Sequence, residues 1–582
     1  METKRWYTNK RESDIDKKAL KCYNIIYEEV ALQRKGARRG IKREVKMKKL
    51  SERKKQWIER TVANDRSYKL YLYNRFFIFA LLVLAQLVGY VFLLYAFAYD
   101  SQIGYAIQTA VGVLALIFVL TIINRYDRPS TKLNWILLIL LIPIVGVPMY
   151  LLYGDGKQTC RMRKKIEKAK RENQAQFLEI YGEGTGFLPQ TRGEAVSCYL
   201  TSYAGYPIYT DGEISYYKSG EELYPVMLEA LQKAEKFILL EYFIIAGGKM
   251  WDSILKVLLQ KAMQGVQVRI IYDDFGCMMT LPPDYDTYLE SLHKNIKCLS
   301  FNPVVPVFTL RMNNRDHRKI LVVDGKVAFT GGINLADEYV AQKVRFGYWK
   351  DSGVKITGNA VRSFTMMFFY LWNAFRKDKE ALSAYLLPPS EIKSDTKDEE
   401  KQTQIHPYDD SPLDKQSVGA TVYLDMIHRA RDYVYIFTPY LILDDEMRAA
   451  LMRAAMRGVD VRIVTPGIPD KKMVYRLTRA NYEILMRVGV KIYEYTPGFI
   501  HSKSMVCDDE CAVVGTINFD YRSLYLHFEN AVYFSGCDAV MEVKRDCEET
   551  FAVSKLCTKE NHKRGFFGRL GDSLLRLFET IF

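Results

Sequence analysis

At 582 residues the chain can build two or three domains, and 49% hydrophobic residues supply substantial cores. Its net charge of +15 is concentrated in residues 1–75, where 23 Lys/Arg face 10 Asp/Glu, leaving about +2 for everything after them. That placement argues against a body wrapped in the positive charge a duplex-binding enzyme carries, and ten scattered cysteines without a CxxC pair argue against structural zinc and fit a reducing compartment.

In chain order, residues 1–75 form a basic arm, expected in the cytoplasm by the positive-inside rule. Residues 76–99 (FFIFALLVLAQLVGYVFLLYAFAY) contain no charge and are long enough to cross a bilayer. The charged arm in front of them excludes a cleavable signal peptide. A second apolar run, 103–123, follows after a tight turn, and a third, 133–153, is interrupted by Pro143, Gly146 and Pro148. Such a run spans, kinks, or enters and returns on one side. The Lys/Arg-rich stretches 125–132 and 157–171 can share the cytoplasm with the arm only if the third run is re-entrant. That reading gives a multi-pass cell-membrane protein whose body is cytoplasmic.

From about residue 186 the pattern changes to alternating strands and helices. Residues 234–245 read as a strand buried on both faces, 251–264 as a helix and 265–274 as a second strand. The order recurs at 430–443, 447–457 and 458–466, and GVQVRII and GVDVRIV begin the matching second strands. This predicts an α/β fold: two pseudo-symmetric α/β/α domains with mostly parallel sheets, 186–389 and 416–555, behind an N-terminal α-helical membrane anchor. The aperiodic, charge-rich stretch 390–415 reads as the linker between them. Residues 564–582 carry apolar residues at helical spacing with arginines between, an amphipathic helix suited to an anionic lipid interface.

Each domain also contains one copy of a longer string, HRKILVVDGKVAFTGGIN from His317 and HSKSMVCDDECAVVGTIN from His501. His317 and Lys319, like His501 and Lys503, sit two apart and so share one face of an extended segment. Asp324 and Asp508 follow seven residues after each histidine, then Gly331 and Gly515 at a tight turn, then Asn334 and Asn518. An imidazole beside an ammonium suits a phosphate: Lys and Asn bind the non-bridging oxygens, and His attacks phosphorus or moves a proton. One copy is half a site. Two copies facing across a pseudo-twofold axis put a histidine on each side of phosphorus, as in-line displacement requires.

The doubled HxKx4D pattern with its Gly–Asn tail resembles the phospholipase D superfamily over residues 187–582. The stretch 126–154 is similar to the membrane hairpin of bacterial cardiolipin synthases, and GTINFDYRSLYLHFENAV (515–532) to their second-motif tail. The long arm and the segment 76–99 exceed the family's usual two-helix anchor. The resemblance implies phosphatidyl transfer from one phosphatidylglycerol to another through a phosphohistidine, releasing glycerol, with membrane phospholipids rather than nucleic acid as partners. It implies His317 as nucleophile and His501 as acid and then base. Lys319, Lys503, Asn334 and Asn518 would hold the phosphoryl oxygens, and Glu529 would join the site. Asp324 and Asp508 complete the catalytic motif in a structural or histidine-orienting role, while the five remaining histidines are read as structural. No acidic cluster accompanies the motifs, so metal-independent chemistry without a cofactor is expected. Two other classes stay open: a hydrolase of the superfamily, in which water uses the same residues, and a non-catalytic membrane scaffold with an inherited fold, against which the two intact motifs weigh.

Overall fold

The computed structural model describes residues 88–89, 101–125, 129–154, 157–181, 192–304, 313–387, 403–414, 416–558, 571–573, 575–576 and 579. The arm and nearly all of segment 76–99 lie outside the described residues. The helix Ser101–Ile123 is described at the side-chain level only from Thr109, and among the described residues no helix is long and apolar enough to cross a membrane. Its Ala115, Val119 and Ile122 pack on Ile139, Val147 and Tyr150, while Val113, Leu114, Leu116, Ile117 and Leu120 are exposed.

The third apolar run is broken. A helix Pro129–Leu141 ends before Ile142, whose backbone (φ −141°, ψ 71°) leaves the helical region, and a short helix Pro143–Met149 follows. Proline cannot continue the hydrogen-bond ladder of the helix before it. The second helix returns against the first so closely that a Cβ on Gly146 would lie 2.7 Å from the Ile139 Cα.

Strands β1 (Ile214–Tyr217), β2 (Phe237–Tyr242), β3 (Gln267–Asp273), β4 (Ile296–Phe301), β5 (Lys319–Val323), β6 (Val327–Gly331), β7 (Tyr348–Lys350) and β8 (Gly353–Thr357) belong to the first half. The second contributes β9 (Gln404–Asp410), β10 (Tyr433–Phe437), β11 (Asp460–Pro466), β12 (Lys491–Tyr495), β13 (Gly498–Ile500), β14 (Ser504–Cys507), β15 (Cys511–Gly515), β16 (Glu529–Ser535) and β17 (Ser554–Leu556). The sheet orders are β1-β8-β6-β5-β2-β3-β4 and β17-β12-β11-β10-β14-β15-β16-β9.

Both sheets are mixed, which corrects the expectation of mostly parallel ones. Parallel pairing is confined to β2/β3/β4 and β10/β11/β12, the strands joined through helices. The motif strands β5 and β14 pair antiparallel with β2 and β10, and antiparallel with β6 and β15. Only a few residues join each motif strand to the next, and so short a connection permits a hairpin but no crossover.

The inner faces of both sheets share one core with the helices Val361–Phe375 and Asp538–Ala552. The outer face of the first sheet is covered by Gly220–Lys233 and Lys249–Gln264, that of the second by Val418–Arg429 and Asp445–Met456. Burial on both faces explains why the strands read as continuous apolar runs. The stretch expected as a linker is corrected in part: residues 404–410 are β9, a fully buried strand paired with β16. Its charges misled because their partners are remote. Asp410 accepts from the Val418 and Gly419 N–H groups (3.2 and 2.9 Å) at a helix start, and Asp409 lies 3.7 Å from Arg318.

Of the C-terminal stretch only isolated positions are described. Asp572 pairs with Arg476 (2.7 Å) and Arg576 donates to the Ala480 carbonyl, so these positions pack on the second domain.

Candidate active site

His317 lies two residues before β5 begins at Lys319, and its backbone is fixed across the domain boundary: its N–H donates to the Phe528 carbonyl (2.9 Å). The residue after Phe528 is Glu529, the first of β16, and both its carboxylate oxygens lie 2.9 Å from His317 Nδ1. The histidine belongs to one half and the acid that holds it to the other. Although burial alone would raise it, hydrogen bonding, chiefly from His317 Nδ1, holds the Glu529 carboxyl well below its ordinary range. Burial pushes His317 well below an ordinary imidazole, with Glu529 opposing. The neutral ring therefore carries its proton on Nδ1 toward Glu529, leaving the Nε2 lone pair for a substrate.

The second copy repeats this in reverse. β13 pairs parallel with β7, and His501 N–H donates to the Lys350 carbonyl (2.7 Å). The next residue, Asp351, places Oδ2 2.6 Å from His501 Nδ1. Burial and the neighbouring Lys503 push His501 down to about 4 despite Asp351. The sequence reading missed Asp351. Glu529 follows its own motif histidine by 28 residues and Asp351 follows His317 by 34, with a different acid, so no offset marks the two as equivalents.

Lys319 Nζ donates to the His317 carbonyl (2.6 Å), and Lys503 Nζ to the His501 carbonyl. Both are buried, and burial lowers them to about 8 and about 7. Each feels Glu529 and Asp351 together, so the two motif copies form one electrostatic site. The asparagines differ. Asn334 accepts from the Ile244 N–H (3.1 Å) and donates to Tyr339 Oη (2.7 Å), whereas the buried Oδ1 of Asn518 has no hydrogen-bond partner.

Asp324 and Asp508 do not touch the histidines, so of the two roles expected for them the histidine-orienting one is corrected. Asp324 accepts from the N–H groups of Glu235, Lys236 and Phe237 (2.7–2.8 Å), and Asp508 from those of Arg431, Asp432 and Tyr433 (2.7–2.9 Å). Each sits at φ 54° in the turn after its motif strand and fastens the start of β2 or β10. The strand between carries its Lys to the site and its Asp to the opposite end, about 16 Å away at 3.3 Å per residue. The glycines need a second correction. A Cβ on Gly331 would meet the Gly353 Cα at 2.4 Å, and one on Gly515 the Ala531 Cβ at 2.4 Å. They let the strands beside the acids Asp351 and Glu529 approach, rather than making a tight turn.

One histidine read as structural also reaches the site: the His527 ring centre lies 5.6 Å from that of His317, and its Nδ1 3.7 Å from Glu529. His317, His527 and Glu529 could together offer ligand atoms within 4.8 Å of one another. The Glu529 oxygens, however, are already engaged by His317 and by the Thr516 hydroxyl.

A family model described as "Cardiolipin synthase, PLD-like domain" matches residues 227–364 and 423–551, and one described as "Phospholipase D-nuclease N-terminal" matches 113–154. An uncharacterized protein of Streptococcus mutans is 44% identical over 76% of this chain and 94% of its own length. The cardiolipin synthase of Alkalihalophilus pseudofirmus is 33% identical over 84% of this chain and 97% of its own, and that of Geobacillus kaustophilus 32% over 82% and 93%. Among solved structures, the phosphatidylserine synthase of Haemophilus influenzae aligns with 67% of this chain and 98% of its own at 15% identity and a TM-score of 0.49. Two motif copies joined by exchanged carboxylates, and this similarity along nearly the full length of the curated relatives, make the chain a member of the cardiolipin synthase family of the phospholipase D superfamily.

Proposed function

We propose that the chain synthesises cardiolipin, joining two phosphatidylglycerol molecules with release of glycerol. The observation that carries this reading is the exchanged pair of acids, which leaves Nε2 of both imidazoles available for one phosphodiester. His317 Nε2 attacks phosphorus of the first lipid, and the P–O bond to the headgroup glycerol breaks. His501 supplies the proton that converts the departing glycerolate to glycerol. The incoming phosphodiester anion beside His501 raises its proton affinity above that of the free site, and Asp351 steadies the resulting imidazolium. In the second step His501 takes the proton from a hydroxyl of the second phosphatidylglycerol. That oxygen forms the new P–O bond, the P–N bond breaks, and cardiolipin leaves. Lys319 and Lys503 stabilise the charge on the non-bridging oxygens, and Asn518, with its unpartnered Oδ1, is the asparagine better placed to respond to a ligand.

The same reading places the enzyme in the cell membrane with its body in the cytoplasm. The exposed apolar face of Ser101–Ile123 supports a lipid-facing surface, and the break at Ile142–Pro143 supports a re-entrant third segment. Expression in cells lacking other cardiolipin-forming enzymes tests the reaction. Cardiolipin should appear as phosphatidylglycerol declines, and the purified enzyme should work in EDTA. Phosphatidic acid without cardiolipin would establish the hydrolase instead.

A further inference from the structure

We infer that three loops around the mouth of the active site form a lip that enters the surface of an anionic bilayer and delivers lipid headgroups to the two histidines. The first loop leaves the end of β3, where Asp273 accepts from the Asp316 N–H (2.9 Å) beside His317. It carries the exposed Phe275, over which Arg315 stacks at 5.1 Å, and Met279, which is 84% exposed. The second runs from the end of the turn at Val340 to β7 and carries Val344, 85% exposed. The third leaves the end of β11, carries the exposed Ile468 and leads into the helix Lys472–Ala480, whose second residue is the exposed Met473.

These loops gather at one place because the parallel strands of both halves end there. Tyr242 of β2 lies opposite Lys319, and Phe437 of β10 opposite Ser504, so β3 and β11, parallel to them, also end at the histidine side of their sheets. The second and third loops touch each other: a Cβ on Gly347 would lie 3.1 Å from Ile468. Trp349, which follows the second loop, and Phe499, its partner in the β7/β13 pair, pack their rings 5.5 and 5.9 Å from His501. The lip is therefore continuous with the catalytic cleft and built from both halves.

Its charge selects the partner. Lys343 and Arg345 flank Val344, and Lys471 and Lys472 precede Met473, all exposed. Arg345 is paired with Glu338 (3.0 Å). Asp470 accepts from Tyr440 Oη (2.6 Å) and Asp274 from Ser300 and Val304 (3.1 and 2.7 Å), while Asp284 is exposed where the first loop meets the helix Tyr285–Leu292. Isolated apolar side chains at loop tips, interleaved with cations, match the chemistry of an interface where acyl chains meet anionic headgroups. An acidic protein surface would use the cations but leave Met279 and Val344 in water. The inference rests on the cardiolipin-forming reading, because that reading supplies substrates that stay in a bilayer.

The test uses the full-length enzyme with two substrates: long-chain phosphatidylglycerol in reconstituted vesicles, and dihexanoyl phosphatidylglycerol below its micellar concentration. The Met279→Asp/Val344→Asp double variant changes only highly exposed side chains, so unchanged thermal unfolding is expected. Its rate on vesicles should fall on the order of tenfold, while its rate on the monomeric lipid stays within twofold of wild type. Neutralising Lys343, Arg345, Lys471 and Lys472 to Gln should flatten the dependence of the vesicle rate on the anionic lipid fraction. Equal losses on both substrates, or no loss on vesicles, overturns the lip. A wild-type enzyme that only hydrolyses both lipids overturns the cardiolipin reading and leaves the lip standing.

Discussion

A buried imidazole attacks or donates well only if one nitrogen is held and the other is free. Glu529 and Asp351 do the holding, each across the domain boundary. Replacing either acid with its amide removes the charge and lets the ring adopt the wrong tautomer, a change that costs on the order of 10²–10⁴ in turnover in comparable histidine–carboxylate sites. We expect Glu529→Gln and Asp351→Asn each to lower cardiolipin formation by this order. The His317→Ala/Glu529→Gln double variant should be no slower than His317→Ala alone, because the two act as a unit. Additive losses in steady-state rates would contradict the pairing. The lysines set a pH limit. Burial lowers Lys503 to about 7 and Lys319 to about 8, so the ammonium forms that hold the phosphate are present below these values and lost as pH rises through them. The kcat/KM of the free enzyme should therefore fall between pH 7 and 8. Lys503→Arg retains charge at that position and should leave only the later loss near pH 8, whatever its cost in absolute rate. A profile that stays flat past pH 9 in the wild type would rule this out.

At the level of the strand and its turn, the motif divides its labour. Lys319 and Lys503 stand at the catalytic end of β5 or just before β14, whereas Asp324 and Asp508 close the far turns onto three N–H groups each. The two turns are not equal. Phe237 N–H is buried, while Arg431 and Asp432 N–H face solvent, so water can replace Asp508 more readily than Asp324. Asparagine tolerates the left-handed backbone of both positions. Asp324→Asn should cost about 2 kcal/mol and Asp508→Asn about 1 kcal/mol, the range for leaving one or two such donors poorly satisfied. Thermal unfolding gives the order. The rate per folded molecule should remain within a few-fold of wild type for both, and a loss of several orders would return these aspartates to the chemistry.

For the whole molecule, the two domains cannot be separated without dismantling the site, since each supplies the acid for the other's histidine and the β7/β13 pair joins them. Their common core is equally shared. Orientation in the membrane is a property of the same scale, and it turns on the broken third segment. A cytoplasmic body predicts that Ser394→Cys in intact cells is shielded from an impermeant maleimide and reacts after permeabilisation. Labelling from outside would mean that the third segment crosses fully.

The repeat, both histidine–lysine pairs and the strand–helix–strand units were legible in the chain alone, because these depend on local spacing: 234–245 contains β2, 265–274 contains β3, and 458–466 contains β11. It also contained Glu529, though only through resemblance. Tertiary structure decided what local spacing cannot express. Asp351 became the partner of His501 through a parallel strand pair between halves, and β9 turned a charged stretch into a buried edge strand once Asp409 and Asp410 met remote partners. The antiparallel hairpins made the sheets mixed, and strand length carried Asp324 and Asp508 away from the chemistry. The physical reason is common to all of these. Periodicity and motif record which way a side chain points along its own segment, but the identity of its partner is set by contacts between segments far apart in the chain.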